Sequence, residues 1–158
     1  LARPSRRKNI KMEQDQSNPV KRSATNVPSV LLAGFQSKEA ENISLVLAQM
    51  GWEATSLSKE AEIESAFAAQ RFDITVVDAD HLEVFAPHFI ARLRDSRGRS
   101  ADATILAVGH SMLDGLKDQL MQSGANLVIP KPSDPRAYIV SFTRAATLRV
   151  QNIGAWRG

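Results

Sequence analysis

The sequence predicts an α/β domain: a doubly wound, five-stranded parallel sheet with helices on both faces. Three observations predict it. Short, nearly unbroken apolar runs alternate with segments whose apolar residues recur every three to four positions, and the pair repeats five times. Strands that are apolar throughout are covered on both sides, which is the condition of a parallel sheet with helical crossovers. The 158 residues, 43% of them hydrophobic, suffice for one core of ordinary size.

The elements follow in order. Val30-Leu31-Leu32-Ala33 is the first strand, closed by Gly34. Lys38 to Met50 places Ala40, Ile43, Val46, Leu47 and Met50 on one helical face, with Ser37 as its expected cap and Gly51 as its end. Trp52 to Thr55 is a weak second strand. Ser58 is the expected cap of a second helix carrying Ala61, Ile63, Ala66 and Phe67 inward and Glu60, Glu62 and Glu64 outward. Ile74-Thr75-Val76-Val77 is the third strand, since β-branched residues favour extended, buried backbone. A third helix is expected from about Val84 to Arg94, with Phe85, Phe89 and Leu93 on one side and Pro87 in the first turn, where proline is tolerated. Ser96 to Asp102 reads as a charged loop. Thr104 to Val108 is the fourth strand, stopped by Gly109. Leu113, Leu116 and Leu120 mark a fourth helix that Gly124 ends, and Leu127-Val128-Ile129 is the fifth strand before Pro130-Lys131-Pro132. A fifth helix begins near Asp134-Pro135, with Ile139, Phe142, Ala146 and Val150 on one face.

Charge divides the chain unevenly. Residues 1–28 carry seven basic and two acidic side chains with almost no apolar periodicity. Such a segment buries too little apolar area to offset its ordering entropy and reads as a disordered basic tail. Residues 29–150 form the domain, and 151–158 a short C-terminal tail. No run approaches the ~18 apolar residues of a membrane span. No secretory leader pattern is present, and there is no cysteine, which leaves no disulfide and no thiol chemistry. A cytoplasmic protein is expected. Nucleic-acid binding is expected at most weakly, through the basic tail, which interleaves no aromatic residues with its charges. No glycine-rich phosphate loop occurs anywhere.

The chemistry centres on Asp78. A carboxylate directly after a buried strand lies at the carboxyl edge of the sheet, where open α/β folds place their ligands. Asp78 either acts there or caps a turn. Asp80 reads as a turn cap or a ligand, and His110, just after the fourth strand, as a loop residue or a ligand contact. His81 and His88 have no Cys or Glu at metal-ligand spacing. Gly34, Gly109 and His110 also permit a small-molecule pocket at the switch point of the sheet.

Asp73 five residues before Asp78, Gly124-Ala125-Asn126, and Ile129-Pro130-Lys131-Pro132 form a combination that resembles the receiver domain of two-component response regulators, a flavodoxin-like fold. The resemblance covers about residues 29–148 and implies that Asp78 occupies the phosphoacceptor position and Lys131 the phosphate-contacting lysine. It also exposes departures. The paired acidic residues that hold a divalent cation after strand one are replaced by Gly34 and Phe35. The hydroxyl residue ending strand four aligns with Gly109, and the aromatic switch of strand five with Val128. The strand-one side offers only Gln36 and Ser37, both neutral. A carboxylate attacking a phosphoryl dianion needs its charge repulsion cancelled, normally by Mg²⁺. Losing two charged ligands predicts a phosphorylation rate lower by orders of magnitude. Lys131 is then free to pair with Asp78.

The resemblance therefore implies an atypical, pseudo-receiver signalling module, not an enzyme, with no catalytic residues and no resident metal or cofactor. It acts by protein–protein contact or homodimerisation through the helix 4–strand 5–helix 5 face, where Met112 and Met121 lie near the partner surface. Its alternative is a response regulator phosphorylated on Asp78 by a histidine kinase, with Mg²⁺ as cofactor. Receiver-like domains of this degenerate type also front larger proteins, including pilus-localisation ATPases.

Overall fold

The computed structural model describes residues 27–82, 84–110 and 114–157, with backbone alone for residues 114 and 150–157. Among the described residues five strands alternate with five helices. They are β1 (Ser29–Ala33), α1 (Ser37–Gln49), β2 (Glu53–Leu57), α2 (Glu60–Ala69), β3 (Ile74–Asp78), α3 (Ala86–Asp95), β4 (Thr104–Gly109), α4 (Asp114–Ser123), β5 (Leu127–Pro130) and α5 (Tyr138–Arg157). All four strand pairings are parallel, in the order β2-β1-β3-β4-β5. The order turns back at β1 and β3, so the carboxyl ends of these two strands open the crevice that such sheets use.

Alternation along each strand divides the core in two. Leu31, Ala33, Val77, Ile105 and Ala107 pack with Ile63 and Phe67 of α2, Phe89, Ile90 and Leu93 of α3, and Leu120 of α4. Val30, Leu32, Ile74, Val76, Leu106 and Val108 pack on the other face with Ile43 and Leu47 of α1 and Tyr138, Phe142 and Ala145 of α5. Each large side chain fully buried in these layers contributes about 1.5–3 kcal/mol. The outer strands differ from the inner ones. β2 is exposed at its first four residues, and β5 is four residues long and ends at Pro130.

Four local expectations change. Ser37 and Ser58 do not cap: the caps are Gln36 and Lys59, without side-chain bonds, and Ser37 is already helical. Acidic residues take over the first turns instead, Glu39 in α1 and Glu60 and Glu62 in α2, where the positive end of the helix dipole favours them. Helix α3 starts at Ala86, so Phe85 precedes it and stays half exposed, edge-on to His88. Pro87 sits in the first turn, where its missing N–H costs nothing. A 3₁₀ turn, Pro135–Ala137, capped by the Asp134 side chain, precedes α5 and rotates its buried stripe. That stripe is Tyr138, Phe142, Ala145 and Arg149, and Ile139 is exposed. The helix then continues through 151–157, the stretch expected as a tail.

Gly51 and Gly124 end α1 and α4 as expected. Gly124 adopts φ 125°, and Leu120 accepts the N–H of Ala125. The loop after α3 is less polar in its role than in its composition. Ser100 is fully buried, donates to the Gln70 carbonyl at 2.6 Å and accepts from the Phe72 N–H at 2.7 Å, joining the loop to the start of β3. Residues 1–26, read as a basic tail, together with Met112, Leu113 and the side chain of Val150, lie outside the described residues.

Candidate functional site at the carboxyl edge

The site is assembled from four chain segments that the parallel topology brings to one edge. Asp78 ends β3, the central strand, and is wholly buried. Its Oδ1 accepts the Asp80 N–H at 2.9 Å, so Asp78 itself caps the turn that was expected of Asp80. Its Oδ2 meets two partners, Lys131 Nζ at 2.9 Å and His81 Nδ1 at 2.7 Å.

Lys131 follows β5 directly, and its N–H donates to the Gly109 carbonyl at 2.9 Å. That bond fixes the start of a side chain only 3% exposed. The ammonium also donates to Glu39 Oε1 at 3.2 Å and stands 3.5 Å from Asp80 Oδ2. It lies 5.7 Å from the centre of the Phe35 ring, a distance at which an aromatic face attracts a cation. Phe35 thus lends the lysine an aromatic neighbour. Burial lowers the affinity of the Lys131 amine for its proton. The hydrogen bond and charge of Asp78, then those of Glu39, outweigh that, and the net direction is up.

Asp80 reaches across the crevice rather than folding back. Its Oδ2 accepts from the His110 N–H at 2.9 Å and meets His110 Nδ1 at 2.8 Å. Burial raises its carboxyl, but the His110 backbone and ring bonds and the Lys131 charge outweigh it and hold Asp80 below the ordinary range. Nearby, the Tyr138 hydroxyl is buried without a hydrogen-bond partner. Burial, then the negative charges of Glu39, Asp78 and Asp80, push its ionisation well upward.

The remaining expected positions are placed as follows. Gly34 has φ 88°, and a Cβ there would meet Leu82 Cδ2 at 3.1 Å. Gly109 ends β4 and contributes its carbonyl to Lys131. Val128 of β5 pairs with Ala107 of β4 and packs on the α2–α3–α4 side of the core. His110 is largely exposed.

Two residues were missed. Glu39 supplies a carboxylate on the side where only Gln36 and Ser37 were expected. The signal was available: a helix starting at residue 37 sets its first turn above the sheet edge, and Glu39 lies in that turn. His81 was set aside for lack of metal-ligating neighbours in sequence. The fold brings donor atoms of Glu39, Asp78 and His81 within 4.8 Å of one another.

The Mg²⁺ that the resemblance implies does not fit this donor set. Mg²⁺ demands near-octahedral oxygen ligation and gives up water reluctantly. Gly34 and Phe35 offer no side-chain oxygen, His81 offers a nitrogen, and the ammonium stands among the carboxylates. Three carboxylates surround one ammonium, so, leaving the imidazoles aside, the cluster carries an excess of negative charge.

No family model and no curated protein sequence matches the chain. Solved structures do resemble it. A CheY-like receiver domain protein from Methanospirillum hungatei superposes with a TM-score of 0.71 at 13% identity, covering 80% of this chain and 98% of that one. The chemotaxis response regulator CheY4 of Vibrio cholerae gives 0.68 at 18% identity, covering 75% and 98%. The receiver domain of a sensor histidine kinase from Pseudomonas aeruginosa, solved with magnesium coordinated in its active-site cleft, gives 0.66 at 17% identity, covering 77% and 98%. At these identities the likeness is one of fold, and the fold of this chain is that of the CheY-like receiver domains.

Proposed function

We propose that the protein is a pseudo-receiver: a signalling module, not an enzyme, that works in the cytoplasm by protein–protein contact without obligatory phosphorylation of Asp78. One observation carries the reading. The Lys131 ammonium lies within 2.9–3.5 Å of three carboxylates and already supplies positive charge to the buried Asp78. A buried carboxylate paired in this way is satisfied as it stands. The contact face is α4–β5–α5, on which Met121, Ile139 and Val140 are exposed.

Beryllofluoride with Mg²⁺, followed by amide NMR, tests it. Beryllofluoride stands in for a phosphoryl group on the aspartate. Silence of the amides around Asp78 and Lys131 at millimolar Mg²⁺ is the expected result. Saturable shifts centred on those two residues would make the protein a phosphate-accepting regulator served by a histidine kinase.

A further inference from the structure

Helix α2 leaves one flank bare. Its Glu60 and Glu64 turn toward α3 and the turn before it: Glu60 accepts the Val84 N–H at 3.1 Å, and Glu64 pairs with Arg92. The opposite flank carries Ala61, Glu62, Ser65 and Ala69, all exposed. It overhangs β2, the border strand of the sheet. Here a groove of about 540 Å³ opens, lined by Leu57, Ala61, Ser65 and Ala69, with Glu62 on its wall and Gln70 at its foot. Glu53 and Thr55 lie on the same face of β2 as Leu57, the face that packs toward α2.

The chain enters the domain at the foot of this groove. Ser29 pairs with Glu53 in the sheet, and its hydroxyl donates to the Arg71 carbonyl at 3.1 Å. The segment that leads to Val27 therefore meets the domain beside the start of β2 and the end of α2. Charge favours these neighbours. Residues 1–26 carry seven basic and two acidic side chains, and Lys21 and Arg22 are the basic ones nearest the domain in sequence. The groove offers Glu62, and the strand beside it Glu53. The local cations stand at its two ends, Lys59 at the cap of α2 and Arg71 facing Asp102 at 3.9 Å.

Length allows the contact. From Gln70 to Ala61 the helix rises about 14 Å, a span that about five extended residues cover. Counted back from Val27, that reach brings Lys21 and Arg22 alongside Glu62. It brings Val20, the one large apolar residue between Met12 and Val27, to the Leu57 end. A segment that cannot fold by itself still orders on a surface to which it is tethered, because a short tether holds it at an effective concentration in about the millimolar range.

We propose that residues 18–26 dock in cis along this flank of α2, with Lys21 and Arg22 against Glu62 and Glu53 and Val20 in the groove. The contact is made by side chains and adds no strand to the sheet. It covers a face apart from α4–β5–α5, and its formation does not depend on the state of Asp78.

The test uses the full chain. There is no cysteine, so Ser17→Cys carries a single nitroxide label, whose broadening of amide signals maps where the segment lies. Broadening is expected to be strongest at residues 57–65 and weak at residues 139–147, on the other face of the sheet. Glu62→Lys, at an exposed site, is expected to reduce the broadening at residues 57–65 by about threefold, and so is the pair Lys21→Glu and Arg22→Glu. The pair Arg6→Glu and Arg7→Glu, with the same change in net charge, is expected to leave it in place. Broadening spread evenly over the amino edge of the sheet, or a groove signal that Glu62→Lys leaves intact, overturns the proposal. A mixture of spin-labelled chain with isotope-labelled chain lacking the cysteine reads contacts between copies. Broadening of residues 57–65 there as strong as in the single chain places the segment of a second copy in the groove and overturns docking in cis.

Discussion

Lys131 is worth more to its neighbours than to itself. Its ammonium compensates Asp78, which has no access to water, and removing it leaves a buried charge unpaired. Lys131→Met is expected to cost about 3–5 kcal/mol in urea denaturation, because breaking a buried pair from one side is the expensive route. The double variant Asp78→Ala/Lys131→Met should cost less than Lys131→Met alone, since both charges leave together. The pH profile follows from the directions of the shifts. The lysine's folded pKa is raised, so its contribution is complete below the ordinary lysine value of about 10.4 and fades as pH climbs through the folded value. Tyr138 is also raised and fades on the same alkaline side. Asp80 is depressed, so its share is complete above about 3.9 and is lost as pH falls through its folded value. Stability measured against pH should therefore fall on the alkaline side in two separable parts, of which Tyr138→Phe removes one and Lys131→Met the other. At this scale the sequence was half legible. Asp78 was readable because an apolar strand announces its own end, and Lys131 through the resemblance carried by Pro130-Lys131-Pro132. Glu39 and His81 were not picked out, since neither stands in a motif and three-dimensional proximity alone joins them.

Helix ends do much to fix the loops around the core. Arg94 of α3 donates to the carbonyls of Gly124, Ala101 and Ala103 and to the Asn126 side chain, and so binds the end of α4 to the loop before β4. Gly124 permits this. A Cβ there would lie 2.5 Å from Arg94 Cγ, on a backbone with φ 125°. Gly124→Ala is expected to lower stability by about 1–3 kcal/mol, from backbone strain and loss of the arginine's carbonyl contacts, as read from the thermal midpoint. Substituting Gly51, whose added Cβ meets nothing within 4 Å, isolates the backbone part. Strand and helix order was legible because period and length are local properties of the chain. The helix starts were less so. A serine beside a helical run looks like a cap, but Gln36 and Lys59 take that position and the acidic first turns supply the favourable charge. The phase of α5 escaped for a similar reason, because the 3₁₀ turn before it is invisible to a 3.6-residue period.

For the molecule as a whole, the fold was legible from alternation alone, and the contact face remains to be tested. Among the described residues, Met121, Ile139 and Val140 are the exposed large apolar side chains on α4 and α5. Val140→Lys, at a site 67% exposed, is expected to leave the thermal midpoint within about 2 °C of wild type while weakening self-association or partner capture by about tenfold. Analytical ultracentrifugation across a dilution series checks it, and a chain that sediments as a monomer at every concentration excludes the homodimer. The margins of the sheet bear on the same question. On one side Glu53, Ala54, Thr55 and Ser56 are turned to solvent, and on the other a four-residue strand runs out at a proline, with a second proline two positions on. Neither border is long, flat and greasy, and neither offers a ready template for another backbone to zip onto. Fibril seeding through these two borders is thereby discouraged, and a strand from another chain finds little here on which to extend the sheet.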